Sequence, residues 1–226
     1  MPLNTLPFWM QVGAFLLAMN AGMINVLGLV TVVHQAISHM TGNVSILAMS
    51  LVNGQYDALL YASLVIISYV LGSTYSGLIL ANSHFSLGRR YGIPLSLVAF
   101  FILLCWLFLP YFPAYGLLWA AVAMGVQNAM VSHYQGAIIR TTHLSGVLTD
   151  LGLALGYFLR GLHVGRRRVV LHLLILFGFL LGGILASVLY PLLQLNAFLV
   201  PAILSFIMSL VYWGIYWHYR QHSSRL

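Results

Sequence analysis

Two short strings of matching residue types hold side chains that could do chemistry together. Ser38-His39-Met40-Thr41-Gly42-Asn43 and Thr142-His143-Leu144-Ser145-Gly146 each present a hydroxyl, an imidazole, an apolar residue, a second hydroxyl and a glycine, in the same order. Histidine changes charge near neutral pH. A matched pair therefore suits proton-coupled or charge-compensated passage of an anion, although neutral rings bonded to carbonyls in a kink would use the same residues. Ser or Thr just before an apolar run is a good helix N-cap, and glycine lets a ligand or another backbone approach closely. A helix starting there presents unpaired N–H groups and a partial positive charge, which favours an anion. Plain capping and tight packing are the other reading of Thr41-Gly42-Asn43 and Ser145-Gly146.

Five more polar residues join the polar and glycine members of those strings as candidates for a solute-binding site. Asn25, Gln127 and Asn128 lie inside apolar runs, where a hydrogen bond between helices is worth about 1 kcal/mol, so they are either helix glue or site lining. Thr149 parallels Ser45 and precedes Asp150, the one acid deep in an apolar context, since Asp57 opens a span. Asp150 needs a partner, and Arg140, Thr149 and His143 are the candidates by sequence. It would carry a proton, or else neutralise Arg140 and hold a loop.

Catalysis is disfavoured. Ser145, His143 and Asp150 are the residue types of a nucleophilic triad, but a Ser and His two residues apart make that hydrogen bond awkward. The echo of His and Ser/Thr in the first string suits a symmetric path better. His34 and His39 are five apart and fall on different helical faces, while His218 and His222 sit at a basic end and snorkel. Hence no metal, phosphate loop or other cofactor is expected.

The elements that must position these residues follow from composition. Of 226 residues, 62% are hydrophobic and 5% charged, with a mean hydropathy of +0.98. A soluble domain carries about 25% charged residues, so a water-soluble enzyme, a nucleic-acid binder and a disordered chain are excluded. Six apolar stretches, near 8–31, 57–81, 93–110, 114–135, 169–190 and 197–217, approach the length needed to cross about 30 Å of hydrocarbon. Two shorter patches, near 41–53 and 145–160, follow polar clusters and read less like lipid-facing spans. Residues 1–7 carry no Lys or Arg and the apolar run outlasts an h-region, so no cleavable signal peptide is expected. The lone Cys105 allows no intramolecular disulfide.

Arginines set the orientation. The net charge of +7 comes from nine arginines against two acids. Arg89 and Arg90, then Arg140, Arg160 and Arg166 to Arg168, then Arg220 and Arg225, fall on one side if the short patches do not cross. The positive-inside rule makes that side, with both termini, cytoplasmic. Seven spans, with only the first patch crossing, are the alternative.

The two halves resemble each other. Gly22-Met23-Ile24-Asn25-Val26 parallels Gly125-Val126-Gln127-Asn128-Ala129, and with slight slippage the polar strings, Gly72 with Gly182, and Pro94 with Pro201 follow. Each half reads span, kink with short helix, span, span. The expected fold is an all-α polytopic membrane protein, one domain over 1–226, with six transmembrane helices and two re-entrant or broken helices. Its halves, 1–112 and 113–226, have odd numbers of crossings and so form an inverted 3+3 repeat. Gly152 with Gly156, and Gly178 with Gly182, have GxxxG spacing for packing within the protomer or in a homo-oligomer.

The strings from Val33 to Asn43, from Gly125 to Ala129, and from Arg140 to Gly152 (Arg-Thr-Thr-His-Leu-Ser-Gly-Val-Leu-Thr-Asp-Leu-Gly) resemble the YoaK family of small bacterial inner-membrane proteins. That resemblance covers nearly the whole chain. It implies a bacterial plasma-membrane location and no site residues, because the family is a domain of unknown function. The expected partners are the bilayer and a small solute, anionic or a weak acid, with no nucleic acid. The expected function is a transporter or channel-like protein, with a non-transporting scaffold or sensor as the alternative.

Overall fold

The computed structural model describes residues 8–31, 34, 36–81, 89–133 and 141–223. Its α-helices are α1 (Phe8–Val30), α2 (Met40–Val52), α3 (Tyr56–Leu80), α4 (Arg89–Phe108), α5 (Pro113–His133), α6 (Leu144–Leu159), α7 (Arg166–Leu193) and α8 (Leu199–Ser223). Proline punctuates them as its missing N–H dictates: Pro113 opens α5, and Pro201 sits in the first turn of α8. Pro94 is the sixth residue of α4, which begins at Arg89, ahead of the predicted start near 93.

Five helical stretches among the described residues are long and apolar enough to cross a membrane. The last, Arg166–His218, holds 53 residues. A 3-10 turn at Gln194–Phe198 divides it, entered through Gln194 at φ 52 and ψ −131, so α7 and α8 are separate helices of 28 and 25 residues. The 13 residues of α2 and 16 of α6 extend only about 20 and 24 Å. Large apolar side chains such as Leu71, Leu78, Phe100, Phe177, Ile184 and Ile207 are exposed around the long helices. In water such a surface would drive aggregation; in a bilayer it is the solvent-matched face. This is a multi-pass membrane protein.

Two helix crossings organise the bundle. The α1 helix packs along α7, and α3 along α5. A Cβ at Gly22 would land on the Phe179 carbonyl, and one at Gly182 on the Met19 carbonyl. At the other crossing Gly125 meets the Tyr69 carbonyl and Gly72 that of Val122. Each crossing thus uses one glycine per helix, and each glycine faces the residue three places before its partner glycine. Without side chains there, the backbones come closer than any larger residue permits.

Around these crossings α4 packs on α5 and α8, α2 on α3, and α6 on α7. Helices α4 and α8 run antiparallel. Ser96, early in α4, bonds Ser209 and Trp213 late in α8, while Trp106 near its end donates to Asn196 before α8 begins. The main core gathers Met23, Ile24, Ile102, Leu109, Met124 and Phe198, with Cys105 buried among them. Gly178 and Gly182 face α1, as their spacing suggests, but a Cβ at Gly152 or Gly156 would meet nothing within 4 Å. Among the described residues Gly152 and Gly156 thus meet no neighbouring helix, and α6 turns a different face to α7.

Candidate functional site

Hydrogen bonds fold the two polar strings back beside the helices that precede them. After α1 ends at Val30, the chain doubles back until Ser38 donates to Asn25 Oδ1 through both its N–H (3.1 Å) and its Oγ (3.0 Å). The Asn43 side chain donates to the Ala36 carbonyl at 3.1 Å and secures the return. In the other half Thr142 Oγ1 donates to Asn128 Oδ1 at 2.8 Å. Asn25 and Asn128 each stand five residues before the last residue of their helix.

The short helices then start and stop alike. His39 and His143 occupy the N-cap positions of α2 and α6, with φ/ψ of −100/76 and −94/63, and neither ring caps its helix. Each ring instead lies over the glycine three residues on, where a Cβ at Gly42 or Gly146 would strike His39 or His143 Cδ2. A larger residue at either place would force the imidazole to shift. Both helices end in a Schellman motif. Gly54 and Gly161 have φ of 65 and 70, and the N–H groups of Gln55 and Leu162 reach the Ser50 and Tyr157 carbonyls at 2.9 Å.

Between the two helix starts lies a cavity of about 400 Å³. Asn25, Leu29, Ala36, Ser38, His39, Met40 and Thr41 form one side, and Thr142, His143, Leu144 and Ser145 the other; Tyr69 of α3 and Phe179 of α7 complete it. None of these residues is Asp, Glu, Lys or Arg. Asn25, Ser38 and Thr142 are committed to the loop hydrogen bonds above. The side chains of His39, Thr41, His143 and Ser145 have no hydrogen-bond partner among the described residues. The arrangement can offer hydroxyl and imidazole donors, backed by N-terminal amides of two helices, to a small ligand.

The cavity thus brings together seven of the fourteen residues singled out from sequence: Asn25, Ser38, His39, Thr41, Thr142, His143 and Ser145. Gly42 and Gly146 support the rings, while Asn43 and Asn128 hold the loops. Gln127 is fully buried behind the cavity, donating to the Leu17 carbonyl (3.0 Å) and Thr141 Oγ1 (3.3 Å) and accepting from Asn20 (3.1 Å). It ties α5 to α1. Thr149 and Asp150 do not line the cavity. Thr149 Oγ1 donates to the Ser145 carbonyl one turn back. Asp150 pairs with Arg168 (3.2 Å) and His172 (3.5 Å) on α7, rather than with Thr149 or His143. Arg140, the remaining sequence candidate, lies outside the described residues.

Sequence reasoning missed Tyr69 and Phe179 as lining residues, and Arg168 and His172 as partners of Asp150. A signal for the first two exists: each lies three residues before Gly72 or Gly182, positions already matched between the halves. Arg168 and His172 are four apart on one face of α7, but the arginine run read as a topology marker.

Comparison with curated proteins and with solved structures gives no match. The family described as "Protein of unknown function (DUF1275)" matches residues 13–211, a stretch that holds both short helices, both glycine crossings and every residue lining the cavity. The chain belongs to the DUF1275 family.

Proposed function

We propose that the protein moves a small solute across the membrane as a transporter or channel-like protein, with an anion or weak acid favoured. The observation that carries this reading is a cavity lined from both halves, with most of its polar residues in corresponding pairs. Ser38 stands with Thr142, His39 with His143, Thr41 with Ser145, and Tyr69 with Phe179. A scaffold has no reason to line a polar cavity from both halves. Hydrolysis is the weaker use of Ser145 and His143, because the acid that would complete a triad, Asp150, is held by α7 instead.

The architecture we propose is an inverted repeat of six crossings, with α2 and α6 re-entrant. Exchanging α1 with α5, α2 with α6, α3 with α7 and α4 with α8 supports it. The exchange turns the α1–α7 pair into α3–α5 and the α2–α3 pair into α6–α7. It also maps Gly22 onto Gly125 and Gly72 onto Gly182 at the crossings. In transporters, repeats of this kind place their site where broken helices meet near the midplane. The arginine-bearing ends would face a bacterial cytoplasm, in keeping with the resemblance to YoaK proteins.

Flux into proteoliposomes holding the purified protein tests the reading. Gly42→Leu and Gly146→Leu, which push the histidine rings into the cavity, should abolish flux of the native solute while membrane insertion stays intact. If both variants carry it at the native rate, or no small solute crosses faster than in empty vesicles, the scaffold or sensor reading takes its place.

A further inference from the structure

The polar lining of the cavity divides into two layers with different obligations. Asn25, Ser38 and Thr142 satisfy one another or the loops. His39, Thr41, His143 and Ser145 face the same space with no partner among the described residues. All four residues are exposed, so their hydroxyls and imidazoles are open to water or to a ligand in the cavity. This layer bears on the ligand's chemistry.

Its chemistry is restrictive. No carboxylate lines the cavity, and Asn25 Oδ1, the side-chain amide oxygen there, already accepts two hydrogen bonds from Ser38. A cation thus finds no negatively charged partner there. The two imidazoles can only add positive charge, and the other titratable lining residue is Tyr69 of α3. Asp150, Arg168 and His172 are engaged with one another on the α6–α7 face. Among the described lining residues there is no Lys or Arg, so the positive charge available from them is an imidazolium, which balances one negative charge. Leu29, Met40, Leu144 and Phe179 supply an apolar remainder, which a bare halide would leave unused.

We infer that the cavity binds the monovalent anion of a small carboxylic acid, its head between His39, Thr41, His143 and Ser145, together with one proton on an imidazole. The inference rests on reading the cavity as a solute site and adds to it a ligand class and a proton. The two histidines, being repeat mates, act as alternative holders of that proton.

Titration of sodium acetate and sodium butyrate into the purified protein in nanodiscs tests it, with sodium chloride and sodium sulfate at matched ionic strength. Carboxylate binding should be at least about tenfold tighter near pH 5.5 than near pH 8, the range in which histidine gains its proton, with butyrate ahead of acetate. His39→Gln with His143→Gln should remove that pH dependence. Thr41→Val with Ser145→Ala should weaken binding about tenfold, as loss of hydrogen bonds to a charged group does, and keep the pH profile. Sulfate binding as tightly as butyrate, or pH-independent carboxylate binding, overturns the inference. If the double histidine variant fails to fold, the native pH profile and the Thr41/Ser145 pair decide. Flux of an uncharged solute without carboxylate binding overturns this inference alone; carboxylate binding without flux overturns transport alone.

Discussion

Asp150 shows how far a residue's type goes without its neighbours. It is one of two acids in the chain, and sequence offered it partners only within its own loop and helix. The residues that pair with it, Arg168 and His172, arrive on α7, eighteen and twenty-two positions on. An ion pair between helices is a tertiary fact, invisible to local spacing. With Asp150 about one-third exposed and Arg168 about half, the pair is expected to contribute no more than about 1 kcal/mol. Asp150→Asn should therefore fold, lose at most a few degrees of thermal stability, and keep the pH profile of any ligand response. A flattened profile in that variant would place the acid in the mechanism after all. The histidines were legible as a pair, because residue order repeats. Their seat on Gly42 and Gly146 was not, since ring orientation is set by packing.

At the scale of elements the reading went further. The six long helices and both short ones fall where the apolar runs were, with ends up to six residues away (α8 runs on to Ser223), because apolar runs bounded by proline, glycine and polar clusters leave little choice. What the sequence concealed was which faces meet. Helices apolar on nearly every side carry no amphipathic stripe, so glycine positions are the main surviving clue to packing. The crossings make this testable. Gly22→Ala should lower thermal stability in detergent by roughly 1–3 kcal/mol, as overpacking does, because the methyl would meet the Phe179 backbone. Gly13→Ala on the same helix meets nothing within 4 Å and should be neutral or slightly stabilising. Equal effects from the two would mean that helix propensity, not close approach, governs α1.

For the whole molecule, topology is the first quantity to measure. In the six-crossing arrangement, single cysteines on a Cys105→Ser background at positions 90, 166 and 220 should label from the cytoplasmic side, and one at position 112 from the opposite side. Labelling of position 166 from outside would remove that arrangement. The pairing of α1 with α7 and α3 with α5 also has a consequence in time. A first helix whose chief partner begins at Arg166 must wait, at 5–20 residues per second, on the order of ten seconds for it to be made. Until then the Gly22 face and the buried Asn20 of α1 lie open to lipid or to the insertion machinery. The first half should therefore be degraded when produced alone, and rescued when residues 113–226 are supplied as a second chain. Each half would be the other's missing wall, and the finished protein a dimer that happens to share one backbone.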